Sequence, residues 1–327
     1  MNTSTWNDSM SIEELFLFDQ YDIENLTMSS GNSTQVLSHN DLLFAGGSAI
    51  SISAIGLILN QIVFWKFLSP KQLSNSFHVL CLSKSFSNTI TCLIGLFWIG
   101  PTIAINNLFL PPDVNKFLGQ FNEYGVYTMG PLTQTLMTID RFIMIFYPLK
   151  FSERKRCKIA VISIFCCWFI ALSFVAATYN DDCWVAYNIS ILNYIAKNDA
   201  CDKFNLKILT IGCIILAVIT LSFQTSNLTK ILIMFSKSSS PELASKSQKW
   251  RTIRLFVQSV IQDLLHFLDL LNSKNFFGIT NILGHFFIFT FSLLFVHALD
   301  GLIMCFFHCN LRRKQRSSKN GPLVVLI

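Results

Sequence analysis

Six stretches of this chain, residues 42–66, 77–100, 124–147, 158–179, 206–235 and 282–307, are apolar. Each is longer than the roughly 20 residues a helix needs to cross the hydrocarbon of a bilayer. In that medium only helices and closed barrels satisfy their own backbone hydrogen bonds, and segments of this length are helices. The rest of the composition agrees. The chain is 52% hydrophobic and 13% charged, against about 25% charged for an ordinary soluble domain. An all-α, polytopic membrane protein is expected, with the lipid bilayer as its first partner.

Charge sets the orientation. The first 41 residues hold no Lys or Arg and no uninterrupted apolar run, so no cleavable leader is expected. They carry acids instead, and N-x-Ser/Thr sequons start at Asn2, Asn7, Asn25 and Asn32. A short tail without positive charge crosses readily, and sequons are used only on the lumenal side. The N-terminus is therefore expected outside, as a glycosylated acidic tail over residues 1–41. Basic residues gather in alternate connections: Lys66 and Lys71; Lys150, Arg154, Lys155, Arg156 and Lys158; Lys230 to Arg254; Arg312 to Lys319. By the positive-inside rule these are cytoplasmic.

That assignment settles an ambiguity. Residues 251–272 contain Gln258, Gln262, Asp263, His266 and Asp269, too polar for a hydropathy scan to count as a span. The basic linker ending at Arg254 and the basic tail at Arg312 are both inside, however, so two crossings lie between them. Seven helices follow, over residues 42–307, with the N-terminus outside and a cytoplasmic basic tail over 308–327. Gln258, Gln262, His266 and Asp269 recur at steps of four, four and three, which is one helical face. In a bilayer it must look into the bundle or a wet cavity. Two roles stand open for it: hydrogen-bonded contact between helices, and the lining of a ligand pocket. Within the face, His266 and Asp269 are the pocket candidates and Gln258 the better candidate for inter-helix contact.

"DRFIMIFYPL" (140–149) closes the third span with an Asp–Arg pair, an aromatic, and Tyr-Pro-Leu. It resembles the signature at the inner end of helix 3 in rhodopsin-type G-protein-coupled receptors. The resemblance implies that Asp140 holds Arg141 in a local ion pair and that Arg141 is released to help form the cleft for a heterotrimeric G protein. It also implies that Phe142 completes the motif and that Pro148 turns the chain into the next loop. "GLILN" (56–60) places Asn60 in the middle of helix 1, as that superfamily does. "SFHVLCLSKSFSN" (76–88), "RTIRLFVQSVIQDLLHFL" (251–268) and "HALDGLIMCFFHCNLRR" (297–313) together resemble the nematode serpentine receptors of class x. That family implies a chemosensory receptor for a small extracellular ligand, in the plasma membrane of sensory-neuron cilia.

Departures from the rhodopsin pattern are as informative. Helix 6 has no Trp-x-Pro, and helix 7 reads Asp300-Gly301-Leu302-Ile303-Met304 where Asn-Pro-x-x-Tyr is usual. In mid-helix 2 the rhodopsin pattern has an acid that coordinates sodium, and this chain has Lys84. An uncompensated ammonium at that depth is costly, so Lys84 and Asp300 are expected to pair across the bundle without sodium. Helix 3 lacks the usual outer Cys, and Cys183 and Cys201 are the two cysteines placed outside. They are expected to form a disulfide with each other, and Asn188 in the same loop is a fifth outside sequon. Glu123, eighteen residues before Arg141, is read as the start of helix 3. It has two roles open: a charge favoured by the helix dipole, and a grip for a cationic ligand. Cys309 beside Arg312 and Arg313 is a palmitoylation candidate next to a short eighth helix.

No enzyme is expected. The chain has no Gly-rich phosphate loop, no metal-spaced Cys/His cluster and no nucleophile–base pairing. No cofactor, metal or nucleic-acid partner is expected either. The competing readings are a peptide or amine receptor of the same fold and, further off, a transporter or channel whose ion path would use the intramembrane ionisable groups.

Overall fold

The structure, a computed structural model, describes residues 37–70, 72–147, 149–179, 183–236, 243–272, 279 and 281–309. Asn2, Asn7, Asn25, Asn32 and Pro148 lie outside the described residues, as does the side chain of Cys309. The helices among the described residues line up as seven rods. Helix α1 is His39–Phe67, α2 is Ser76–Ile105, α3 runs over 112–146, α4 is Glu153–Thr178, α5 is Asp199–Ser236, α6 is Leu243–Asn272 and α7 runs over 282–309. Five of them are long and apolar enough to cross a membrane: α1, α2, α4, α5 and α7.

The helix starts follow capping chemistry. Ser38 and Asp41 form a capping box before α1, so Asp41, assigned above to the tail, sits inside the first turn. Asn75, Ser152 and Asn281 each accept a backbone N–H at the start of α2, α4 and α7. Helix α3 begins at Pro112, a residue suited to the first turn because its missing N–H would be unpaired there anyway. This corrects the expected start at Glu123. The apolar window opens only at Tyr124, but the helix has by then run more than two turns through polar residues such as Asn115 and Gln120.

The bundle is inverted relative to a soluble protein. Large apolar side chains face outward: on α4, Phe165 is 71% and Phe169 73% exposed, while small residues such as Ala160, Ala171 and Cys167 face in. Two apolar cores sit at the ends. One, around Leu42, Ile99, Ile103, Tyr187, Leu192 and Phe286, is called here the hairpin end. The other, around Phe67, Phe77, Leu80, Met137 and Met304, is called the Arg141 end. A polar layer separates them.

The connection before α5 is not a simple loop. Strands β1 (Val185–Asn188) and β2 (Asn193–Ala196) pair antiparallel, Val185 opposite Ala196 and Asn188 opposite Asn193. A disulfide between Cys183 and Cys201 clasps the base of this hairpin. Its tip turns into the bundle: Leu192, at φ 53°, is fully buried, and Thr290 of α7 donates to its carbonyl at 2.8 Å. A branched residue holds that backbone region only where surrounding contacts impose it. Helix α3 supplies some of them. Asn115 exchanges two hydrogen bonds with the Tyr187 backbone (3.1 and 3.2 Å), and Gln120 accepts from Val185 N–H (3.0 Å). A Cβ at Gly119 would lie 2.5 Å from the Val185 carbonyl, so this close seat requires glycine.

Candidate functional site

The polar layer is centred on Asp300 of α7. Lys84 of α2 places Nζ 3.0 Å from Asp300 Oδ2, and both side chains are 0% exposed. Lys84 also donates to Gln134 Oε1 of α3 at 2.8 Å, and Gln134 in turn donates to the Ser259 hydroxyl and carbonyl of α6. The carboxylate has two further donors from α6: His266 Nε2 to Oδ2 at 3.1 Å and Gln262 Nε2 to Oδ1 at 3.2 Å. Four helices therefore meet on one ion pair. A buried pair is tolerable only when its remaining lone pairs and protons are occupied in this way.

The polar face of α6 continues on both sides of that centre. Gln258 accepts from His308 Nε2 of α7 at 3.0 Å, and Asp269 accepts from Ser292 of α7 at 3.0 Å. His266, proposed from the sequence as pocket lining, thus sits on the ion pair, and its approach depends on Gly130. A Cβ there would lie 3.2 Å from the imidazole ring. Asn60 is buried next to this layer. It donates to the Gly56 and His297 carbonyls and accepts from Asn88, which accepts from His297 Nδ1.

At the Arg141 end the expected Asp140–Arg141 ion pair is absent. Neighbours in sequence do not share a helix face. Asp140 turns toward α2 and α4, accepting from Ser76 at 2.7 Å and pairing with Arg156 at 3.5 Å. Arg141 turns inward, is 2% exposed, and lies over the Phe77 ring at 4.8 Å. Among the described residues none of its three guanidinium nitrogens has a hydrogen-bond partner. Phe142 packs on Phe146 and on Phe223 of α5, with ring centres 4.4 and 4.9 Å apart.

At the hairpin end, Trp98, Tyr187 and Tyr194 form an aromatic cluster with ring centres 5.4 to 6.3 Å apart. Burial lifts the Tyr187 and Tyr194 phenols well above their ordinary range, so both stay protonated. Glu123 is half-buried close to Tyr194, in a π-helical turn of α3 and not at its start. Asn188 ends β1, with its side-chain oxygen accepting from Ser190 N–H at 2.7 Å. A separate cleft of about 590 Å³ opens beside Phe146 and α5, but its hydroxyls are occupied. Ser222, Thr225, Ser226 and Thr229 each donate to the carbonyl four residues back, and the charged group of the lining, Lys230, lies over the Phe146 ring. Among the described residues no His/Cys/Asp/Glu group could hold a metal ion.

Sequence reasoning missed Gln134, Ser259 and the hairpin aromatics. Nothing in the spacing of a single helix marks which neighbour it will meet. The comparisons with known proteins bear on the whole bundle. Residues 50–308 match the family described as serpentine type 7TM GPCR chemoreceptor Srx. Among solved structures the chain is similar to squid rhodopsin, with a TM-score of 0.66 over 86% of each chain and 15% sequence identity. At that identity the likeness shows the fold alone. No curated protein matches the sequence. Family and apolar helices together make this a multi-pass membrane protein.

Proposed function

Because the chain belongs to the Srx family of serpentine seven-transmembrane GPCR chemoreceptors, we propose that it binds a small extracellular ligand at the hairpin end and activates a heterotrimeric G protein at the Arg141 end. In this reading all seven rods cross the membrane, the acidic N-terminal segment is outside and the basic tail is cytoplasmic. The site of action is the plasma membrane of sensory-neuron cilia, as the family resemblance implies. The observation that carries the reading is Arg141. A guanidinium buried over Phe77 without an acceptor on any nitrogen is an unfavourable arrangement for a finished core. It is a sensible one for a surface completed by a partner that brings acceptors.

The polar layer supplies the transmission. Asp300 binds groups from α2 and α6 together, with α3 joined through Gln134, so a ligand that displaces one of these helices at the hairpin end strains the same ion pair. The shift alters how α6 and α3 lie at the Arg141 end, where the G protein docks. Only a ligand with different affinity for the two arrangements produces this shift.

The test is expression with a promiscuous G-protein reporter, screened against small volatiles and soluble metabolites. Ligand-dependent guanine-nucleotide exchange that disappears in Arg141→Met is the expected result. Substrate flux across the membrane without a G protein would replace the receptor by a transporter.

A further inference from the structure

Three helices of the bundle carry a π-helical turn: Gly95–Ile99 in α2, Phe121–Val126 in α3 and Phe287–Phe291 in α7. Such turns are rare insertions in an α-helix and concentrate at functional sites. Here all three lie at the hairpin end, and each delivers one residue to the same place. Trp98 packs edge-on against Tyr187, with ring centres 6.0 Å apart. Asn122 donates its amide to the Tyr194 hydroxyl at 2.8 Å. Thr290 holds the carbonyl of Leu192, at the hairpin tip. The hairpin stands on the three widened turns.

This cluster has unmet hydrogen-bonding groups. Among the described residues the Trp98 indole N–H and the Asn122 amide oxygen make no hydrogen bond, although the two residues are 3% and 1% exposed, whereas the Tyr187 hydroxyl lies against Thr290. Buried polar groups in folded proteins are nearly always paired, and exceptions call for a reason. The inventory is one donor and one acceptor, beside three aromatic rings. Both are uncharged.

We propose that this cluster is the ligand seat, and that it takes a small, flat, uncharged molecule carrying at least one hydrogen-bond acceptor and one donor. The acceptor meets the Trp98 N–H, the donor meets the Asn122 oxygen, and the flat body lies against the rings of Trp98, Tyr187 and Tyr194. Admission requires the hairpin tip, Ile189 to Leu192, to lift from the apolar core it shares with α1, α2 and α7. This assignment rests on the receptor reading and names its ligand class. It opposes the cationic alternative that Glu123 raises, because a desolvated charge needs a counter-charge and the unmet groups offer none.

The experiment is thermal unfolding of the purified full chain in detergent, without G protein, in the presence of benzamide, benzylamine, benzoate or ethylbenzene. Benzamide is expected to raise the unfolding temperature most. Trp98→Phe, which removes the N–H, should weaken that benzamide effect by about tenfold in apparent affinity, as loss of one hydrogen bond to a ligand does. Trp65→Phe, on the exposed face of α1, should leave it unchanged. Three results overturn the proposal: no stabilisation by benzamide, undiminished stabilisation in the Trp98→Phe variant, or a larger effect of benzylamine that Glu123→Gln removes. Because no G protein is present, these outcomes leave the receptor reading to its own exchange assay.

Discussion

Among the described residues Lys84 and Arg141 are cations buried in this bundle, and their surroundings are opposite. Lys84 has a carboxylate at 3.0 Å and an amide oxygen at 2.8 Å, and that carboxylate also accepts from His266 and Gln262. Arg141, on the facing helix α3, has an aromatic ring and no acceptor. Both charges were withdrawn from water at similar expense. The first has its compensation within the chain and so holds helices together. The second has no hydrogen-bond acceptor among the described residues, and this is what supports the proposal that a partner supplies one.

The contrast breaks most visibly at Asp300. Asp300→Asn leaves the Lys84 ammonium buried without its counter-ion, and should destabilise the protein by about 4 kcal/mol, the range for breaking one side of a buried pair. Unfolding in detergent, or yield at the cell surface, measures it. Adding Lys84→Met to that variant should recover part of the loss; a double variant no better than the single would remove the pair from the account.

Next in size is Cys183→Ser. Opening the clasp between Cys183 and Cys201, 18 residues apart, should cost about 3 kcal/mol in the chain-entropy model. Because the hairpin end lies away from both cations, the comparison predicts that ligand-free binding of a G protein survives this loss when the variant is assayed below its unfolding temperature. Ligand-free binding lost along with the disulfide would merge the two ends into one structural unit.

How much of this could be read beforehand differs by level. Apolar length and the placement of Lys and Arg carry the rods, since lipid leaves so few solutions. The steps of four and three along α6 put Gln258, Gln262 and Asp269 on one face, and in the fold all three are buried. Opposite charges at Lys84 and Asp300 were visible as residues that need a partner. Other features were not legible. Helical period says nothing of which neighbour a face will meet, so Gln134 and the seat of His266 on Asp300 did not show. Nor does any period mark a π turn, and a hairpin of two four-residue strands is hidden inside a loop between cysteines. The Asp140–Arg141 motif misled because adjacency in sequence is a poor guide to contact on a helix.

A smaller change sharpens the picture at Lys84. Gly130→Ala pushes the His266 ring, 3.2 Å from the added methyl, and so loads the Asp300 layer without removing a charge. A contact cost of about 1 kcal/mol works against a gain of about 1 kcal/mol from replacing a mid-helix glycine, so little net change is expected from Gly130→Ala alone. Combining it with Asp300→Asn should give less than the sum, since both act on one network. Strict additivity would place His266 outside that network.

Arg141→Met is the most direct test, because the account gives it opposite signs in two settings. The measurement is the unfolding temperature of the variant and the parent, alone and with a panel of nucleotide-free heterotrimeric G proteins. Alone, the variant should unfold at the same temperature or slightly above, since a buried group without partners has been removed at a gain of about 1 kcal/mol. With a G protein that stabilises the parent, the variant should gain nothing. A variant that unfolds well below the parent alone, yet takes the full stabilisation from the G protein, would contradict the claim that Arg141 is held open for a partner.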